Sequence, residues 1–552
     1  MKIVCAQQNF IVGDFEYNYN KIKAVIQKHG HNSDLIVFSE LCLSGYYPYD
    51  LLERKTFIKA QQAILDRLIE LSKKYKAALI LGAMSSSELK DNRLFNSLLV
   101  IHNGQLISQY HKQLLPNYHI FNEARHFQAG TQPGIIELFD KKIGLLICED
   151  GWKDDRYKLD PVAELEKHQL DLIISINASP AYVGKQMARK EQFASISKRL
   201  NAPLIYVNQI GGQDEIIYDG ASFLLDDLGH CLGQMNAYEE GVGLLEFDSE
   251  LIPLEGWHTF KPLSNNEIFY RQICLGLKDY VYQCKIDKVI IALSGGIDSA
   301  LTLVLAVSAL GKHRVKALFL PSKYTSKISD HDANLLAQRL DIQLFNYSIQ
   351  PEFDAALEQF AVQFNEPPHS LVIQNIQARI RGRIVMEYAN QVGGLVVSTS
   401  NKSELSVGFT TLYGDLIGGL NLIGDLYKTE VYMLAHYYNQ THPNAQIPTS
   451  ILERAPSPEL ADKQLDQDTL PPYEQLDAFL RLYIEGDLLN DKEYSYYQKI
   501  ANQLSSDEIS YLKKQVDISE FKRRQACPII KLQRRAFGIG RQYPIAHRFR
   551  EV

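Results

Sequence analysis

The sequence predicts an α/β protein of two layered domains, and three observations carry that prediction. Short apolar runs of strand length recur through the first 247 residues, with amphipathic helical segments between several of them. From residue 288 onward strands and helices alternate, the pattern of a parallel sheet wound with helices on both faces. A chain of 552 residues is also too long for one core. Hydrophobic residues make up 45% and charged residues 22%, the composition of a globular protein.

In the first half the runs are Ile3 to Ala6, Leu35 to Phe38, Ala77 to Leu81, Ser97 to Ile101, Gly144 to Ile147, Leu172 to Ile176 and Leu204 to Val207. Lys21 to Lys28 and Thr56 to Lys74 have helical periodicity. Between Glu250 and Asn266 the pattern lapses into Pro253, Gly256 and Pro262, which is linker-like and places a boundary at residue 260, giving domains 1–260 and 261–552. Ser264-x-x-Glu267 then opens a helix as a capping box, with Phe269, Ile273, Leu277, Tyr280 and Val281 on one face. The second half continues as strand Lys288 to Leu293, a helix from Asp298, strand Val315 to Leu320, helix Asp330 to Leu340 and a strand near Ile342 to Tyr347. Ile373 to Asn390 and Leu395 to Thr399 extend the alternation before a Pro-rich, acidic stretch at Ala455 to Pro472.

The net charge of −7 gives no global field toward nucleic acid or anionic lipid. The longest apolar stretch, Ala300 to Leu310, is too short to span a bilayer, and the N-terminus lacks a signal peptide's apolar region, so a cytoplasmic protein without a membrane partner is expected. Seven scattered cysteines without Cys-x-x-Cys spacing argue against a disulfide framework and against a zinc site.

Two constellations carry chemistry. Cys148 directly follows an apolar strand, Glu40 ends another in Asp34-Leu-Ile-Val-Phe-Ser-Glu40, and Lys112 lies shortly after a third. A side-chain amide is a poor electrophile. A thiol nucleophile, a carboxylate to take its proton and a cation to meet the oxyanion together suit its hydrolysis. Spacing alone equally allows a surface Glu40–Lys112 pair beside a packed thiol. The second constellation is Ser294-Gly-Gly-Ile-Asp-Ser299 between a strand and an apolar helix. There glycine backbone N–H groups, serine hydroxyls and a helix N-terminus could close around phosphates. It is not the Gly-x-x-x-x-Gly-Lys-Ser/Thr phosphate loop.

The first half resembles the glutaminase branch of the nitrilase superfamily through Phe-Ser-Glu40-Leu-Cys-Leu-Ser-Gly-Tyr46, Lys112-Gln-Leu-Leu-Pro-Asn-Tyr118, Phe-Asn-Glu123-x-Arg-x-Phe and Ile-Cys148-Glu-Asp-x-Trp. The resemblance implies an α-β-β-α sandwich with Glu40 as proton acceptor, Lys112 as oxyanion stabiliser, Cys148 as nucleophile and Glu123 orienting Lys112. It also implies glutamine binding by Tyr118, Ser179 and Lys185. Ser39 and Asn122 stand where relatives often carry Pro and Asp.

The six-residue loop resembles that of enzymes cleaving ATP between the α and β phosphates. With a nitrilase-type glutaminase ahead of it, the whole chain resembles the glutamine-dependent NAD+ synthetase family. Asn375-Ile-Gln-Ala-Arg, Thr399-Ser-Asn-Lys-Ser-Glu404, Tyr413-Gly-Asp, Ser457-Pro-Glu-Leu and Lys522-Arg-Arg-Gln agree with that resemblance, while Ser400 replaces a Gly frequent in relatives. It implies ATP contacts from Ala292, Leu293, Ser294, Gly295, Gly296, Ile297, Asp298, Ser299 and Thr399, and contacts to deamido-NAD from Asn375, Glu404 and Lys522. Asp298 and Glu404 are the expected Mg2+ ligands, since a hard cation on phosphates prefers carboxylate oxygens.

The basic tail, Lys522 to Val552, carries nine Lys/Arg against one Glu and is read as a phosphate clamp rather than a nucleic-acid patch. The expected reaction is release of ammonia from glutamine, adenylation of deamido-NAD with ATP and Mg2+, and displacement of AMP by ammonia. An internal tunnel would keep that ammonia from solvent. A homo-oligomer is the family's expectation. Alternatives are a nucleotide-regulated amidase and an ammonia-only synthetase with a dead amidase half.

Overall fold

The computed structural model describes residues 1–86 and 93–549. The chain divides into two compact units, Met1–Leu263 and Ser264–Val552.

The first unit is built from two mixed sheets with helices outside each. The first contains β1 (Lys2–Gln7), β2 (Leu35–Val37), β3 (Ala78–Ser86), β4 (Leu94–His102) and β5 (Gln105–His111). The second contains β6 (Ile135–Leu138), β7 (Lys141–Ile147), β8 (Leu172–Asn177) and β9 (Leu204–Asn208). A hairpin of β10 (Ile210–Gln213) and β11 (Ile216–Asp219) follows. Then β12 (Phe223–Leu225) and β13 (Cys231–Gln234) extend the second sheet, while β14 (Gly241–Phe247) and β15 (Leu251–Glu255) return to the first. Spatial order is β15-β14-β1-β2-β3-β4-β5 in one sheet and β13-β12-β9-β8-β7-β6 in the other.

Val37, Ile80 and Leu98 of the first sheet pack against Ile147, Ile174 and Val207 of the second in one dry core. Helices α1 (Phe15–His29) and α2 (Lys55–Ser72) cover the outer face of the first sheet with Ile22, Ile64 and Leu68. Helices α3 (Pro161–Leu165) and α4 (Lys185–Leu200) cover the second with Val162 and Phe193. This is an α-β-β-α sandwich. One segment departs from the sequence reading. The stretch taken as linker holds the edge strand β15, with Pro253 paired opposite Leu245. Proline is tolerated there because an edge strand leaves one row of N–H groups unpaired.

In the second unit α5 (Asn265–Gln283) is capped by Ser264, whose hydroxyl accepts from the Glu267 N–H. A five-stranded sheet follows: β16 (Val289–Ala292), β17 (Val315–Phe319), β18 (Leu344–Asn346), β19 (Leu395–Ser398) and β20 (Leu420–Asn421). All pairings are parallel, in the order β18-β17-β16-β19-β20. Helix α6 (Ile297–Leu310) lies on one face beneath α5, while α7 (Lys327–Arg339) packs on β17 and α8 (Gln350–Phe364) on α9 (Ser370–Val392). Ile384, Val385 and Ala389 of α9 bury Ile290, Leu318 and Val396 on the sheet. Helices α10 (Lys402–Val407) and α11 (Lys428–Thr441) complete the part that forms the site. The first strand is central, so the strand order reverses between β16 and β19, where doubly wound sheets open a crevice.

Candidate functional site

In the first unit three strand ends and the 3-10 turn at Glu123 bring four reactive side chains to one buried point. Lys112 follows β5, and its ammonium donates to Glu40 Oε1 at 2.8 Å and to Glu123 Oε1 at 2.7 Å, with all three side chains at most 1% exposed. An ammonium has three donors. Two are committed, leaving one for a bound group. The two carboxylates push the Lys112 ammonium well above its ordinary range against the opposing effect of burial, so it stays charged. Burial pushes the Glu123 carboxyl up to about 7.

Cys148 begins a short 3-10 turn immediately after β7, at φ 44°, a left-handed conformation that residues other than glycine adopt rarely. It is 6% exposed. Burial, then the negative charge of Glu40, pushes its thiol well above the ordinary value, with Lys112 opposing. Cys148 is therefore a thiol at rest and needs a base to become a nucleophile.

Among the residues that frame this point, Asn96 and Ala178 carry no sequence signal of their own, while Tyr46 and Asp150 fall inside the quoted motifs. Asn96, inside β4, donates to Glu40 Oε1 at 2.7 Å and reaches Glu123 Oε2 at 3.4 Å. The Ala178 N–H donates to Glu40 Oε2 at 2.9 Å, and the Tyr46 hydroxyl to Glu123 Oε1 at 2.6 Å. Asp150, two residues after Cys148, accepts from the N–H groups of Gln113, Leu114 and Ile147 and from the Tyr110 hydroxyl, binding the Lys112 and Cys148 segments together. Gly82 lets the chain pass: a Cβ there would lie 2.2 Å from the Leu41 nitrogen and 2.7 Å from the Glu40 Cα.

Beside Cys148, Glu149 Oε1 accepts from Tyr118 and Tyr157, both at 2.8 Å. Arg156 lies 3.7 Å from the Tyr118 ring centre, and the Lys185 ammonium 3.6 Å from that of Trp152. Ser179 is buried, its N–H bonded to Asn208.

In the second unit a cavity of about 670 Å³ opens at the switch point. That is near the middle of the usual range for small-molecule sites. Ala292, Leu293, Ser294, Gly296, Ile297, Asp298 and Ser299 line one wall, and Asn375, Thr399, Glu404 and Lys522 line others. The Ser299 hydroxyl accepts from the Ser294 N–H and Ser294 Oγ accepts from the Gly296 N–H, so the loop wraps onto the start of α6. Gly295 differs from its neighbours in not lining the cavity. At φ 84° it turns the chain against α7, where a Cβ would lie 2.5 Å from the Ser329 carbonyl oxygen. Its own carbonyl accepts from Arg454 at 2.7 Å.

Asp298 and Glu404 face each other across the Lys428 ammonium, at 2.5 and 3.2 Å. Asn401 steadies the other Asp298 oxygen at 2.9 Å. Burial pushes the Glu404 carboxyl up to about 8, because Lys428 is shared while Asp298 and Asp466 add negative charge. Two carboxylates against one ammonium leave a deficit of positive charge, which fits a divalent cation. Lys428, an isolated lysine after a buried tyrosine, has no sequence signal. Asn375 accepts from the Thr411 hydroxyl at 2.8 Å, and Lys522 donates to the carbonyls of Gly408 and Thr410, both at 2.7 Å.

The reading of the tail as a clamp is revised by its contacts. Arg523 donates to the carbonyls of Leu405 and Ser406, Arg534 pairs with Glu493, Arg535 with Asp487 and Arg541 with Glu520. Among the described residues of the tail, only the cation of Lys522 lines the cavity. Arg523, Arg534, Arg535 and Arg541 fasten the fold.

The carbon-nitrogen hydrolase family model matches residues 2–254 and the NAD synthase model residues 269–526. The glutamine-dependent NAD(+) synthetase of Synechocystis is 36% identical, over 99% of this chain and 99% of its own length. That of Acinetobacter baylyi is 36% identical over 100% and 99%. Among solved structures, glutamine-dependent NAD+ synthetase from Acinetobacter baumannii in complex with ADP is 35% identical, with a TM-score of 0.78 over 99% of this chain and 98% of that one. The synthetase of Cytophaga hutchinsonii, 19% identical with a TM-score of 0.80 over 99% and 98%, shares the fold. With a buried Cys-Glu-Lys point in one unit, a cavity lined by the Ser294–Ser299 loop in the other and relatives above 30% identity along its whole length, the chain belongs to the glutamine-dependent NAD+ synthetase family.

Proposed function

We propose that this chain makes NAD+ from deamido-NAD+, ATP and glutamine, and the observation that carries the proposal is one chain holding both a thiol amidase centre and a nucleotide cavity. Glutamine binds with its amide over Cys148, and Tyr118, Ser179 and Lys185 are the residues proposed to hold it. Glu40 takes the thiol proton as sulfur attacks the amide carbon. The free Lys112 donor meets the developing oxyanion, Glu40 returns the proton to the departing nitrogen so that ammonia leaves the tetrahedral adduct, and water then opens the resulting thioester to glutamate. Glu123, held by Tyr46, keeps the Lys112 ammonium aimed.

In the second unit the Ser294–Ser299 loop and the α6 N-terminus are proposed to cradle the ATP phosphates, with Thr399 beside them. The bound ADP of the A. baumannii relative supports an adenine nucleotide. Asn375, Glu404 and Lys522 are proposed to contact deamido-NAD+. Asp298 and Glu404 would hold Mg2+, which neutralises phosphate charge when bound. Deamido-NAD+ carboxylate oxygen attacks the α-phosphorus, pyrophosphate leaves, and ammonia displaces AMP. Free cysteines throughout and the absence, among the described residues, of a helix able to cross a membrane support a cytoplasmic site of action. Exposed Val362 and Phe364 on α8 support a homo-oligomer.

The test is formation of NAD+ and AMP by the purified chain with deamido-NAD+, ATP and Mg2+, supplied with glutamine or with ammonium. Activity with neither donor would overturn the substrate assignment.

Two substitutions probe the framework. Asn96→Ala removes a hydrogen bond to a charged group, worth about 1.5–3 kcal/mol. It is expected to lower kcat/KM for glutamine by roughly tenfold to a hundredfold while leaving the ammonium-dependent rate unchanged. Gly295→Ala forces a side chain onto the Ser329 carbonyl in a left-handed backbone. It should raise KM for ATP by about tenfold or more, on the order of 1.4 kcal/mol, with either donor.

A further inference from the structure

Asp50, Glu53 and His126 lie on the outer side of the Glu123 turn, and their ligand atoms fall within 4.8 Å of one another. Asp50 and Glu53 are three apart on a 3-10 helix spanning Tyr49–Glu53, so both carboxylates project from one side. His126 is the buried member, its ring 4% exposed, with Nε2 at 3.1 Å from Asp50 Oδ1 and 3.6 Å from Glu53 Oε1.

The Nε2 lone pair is available in the tautomer that carries the ring hydrogen on Nδ1, and the Tyr47 contacts allow that tautomer. The Tyr47 hydroxyl reaches the Asn122 carbonyl at 3.2 Å and His126 Nδ1 at 2.8 Å. A phenol has one hydrogen. With that hydrogen on the Asn122 carbonyl, His126 donates from Nδ1 to Tyr47, and Nε2 turns its lone pair toward two carboxylates. A lone pair facing two anions calls for a cation between them. The outward N–H on a fixed oxygen is the usual support of a metal-bound imidazole. The carboxylates are about 60% exposed, so the position is open to solvent on one side. Arg125 sits on the far oxygen of Asp50, at 3.1 Å, and also lies 3.6 Å from Glu53 Oε1, so a metal competes with it for Glu53 while Asp50 Oδ1 faces Nε2.

We propose that Asp50, Glu53 and His126 bind a first-row transition-metal dication, with water completing its coordination. One imidazole and two carboxylates suit Co2+, Mn2+ or Zn2+ and are a poor match for soft, thiolate-seeking ions. The metal is separate from the Mg2+ of the synthetase cavity. It would tie the 3-10 helix to the turn whose N–H groups, from His126 and Phe127, both bond the Glu123 carbonyl, at 3.1 and 2.9 Å.

The test is titration of the full chain with Co2+ in millimolar Mg2+, which saturates carboxylate-only sites and leaves an imidazole site open. One equivalent should bind, with visible d–d absorption and without the near-ultraviolet charge transfer of a cysteine ligand. His126→Asn should abolish that equivalent, and Tyr47→Phe, which removes only the supporting oxygen, should weaken it by roughly tenfold to a hundredfold. Arg125→Ala, which removes a competing cation, should tighten it. The far-ultraviolet circular dichroism and melting temperature of each variant report that the first unit is folded. Absence of Co2+ uptake at millimolar metal, thiolate charge transfer, or an unchanged equivalent in both His126→Asn and Tyr47→Phe would each overturn the site, leaving only an ion pair.

Discussion

Cys148→Ala is expected to abolish NAD+ formation from glutamine, by at least a thousandfold, while the rate with ammonium stays within about twofold of the native chain. The size of the first effect follows from the centre's construction. Burial and Glu40 hold Cys148 as a thiol, so no pre-formed thiolate does the work. Attack and proton transfer must occur together, through one sulfur and one carboxylate. Alanine leaves the oxyanion donor of Lys112 in place with nothing to generate an oxyanion. Glu40→Gln should come close to the same loss, because the amide keeps the shape and removes the proton acceptor. The second effect follows from the unit boundary: the synthetase cavity is lined wholly by residues of Ser264–Val552. Glutamate release and NAD+ formation, measured in parallel with each donor, check both halves. Persistent glutamine turnover in Cys148→Ala would sink the nucleophile. An equal fall with ammonium would sink the division of labour.

The parts of this fold legible in the sequence are those where burial dictates composition. Strand β8, Leu-Ile-Ile-Ser-Ile-Asn, is buried at every residue, and an apolar run is what a two-faced environment requires. The edge strand β15 is mostly exposed and contains a proline, so its sequence resembles a linker although its backbone pairs with β14. The same contrast holds at the sites. Cys148, Glu40 and Lys112 stand at or just beyond strand ends, where an α/β sheet presents its reactive groups. Asn96 sits within a strand and Lys428 at the start of a helix, and each owes its position to partners far away in sequence: Asn96 to Glu40, Lys428 to Asp298. Pairing of that kind leaves no periodicity. The tail shows the converse error. Clustered positive charge suggested a phosphate clamp, whereas Arg523, Arg534 and Arg535 find carbonyls and carboxylates of their own chain. A charge count cannot tell an arginine that meets a ligand from one that closes a fold.

Glu404→Gln is expected to reduce NAD+ formation at least a thousandfold with glutamine and with ammonium alike, and Asp298→Asn to do the same. The two carboxylates share the Lys428 ammonium inside a cavity lined by the phosphate loop, and Glu404 is pushed up to about 8 by burial against too little positive charge. Such an arrangement is costly for the free protein and has value only when further positive charge arrives with the nucleotide. Replacing either carboxylate by its amide keeps the volume, relieves the repulsion and removes a ligand for that charge, so the variants should be at least as stable as the native chain while inactive. That pairing of outcomes separates a functional carboxylate from a structural one. Loss of a structural partner of Lys428 would leave a buried ammonium short of an anion and lower the melting temperature. The first-unit reaction supplies an internal control, since glutamine hydrolysis needs neither residue. Pyrophosphate release with ammonium, glutamate release with glutamine and the melting temperature should therefore be measured together. Lost pyrophosphate release with retained melting temperature and glutamate release supports the metal-ligand role, whereas retained pyrophosphate release in both variants removes Asp298 and Glu404 from the nucleotide site.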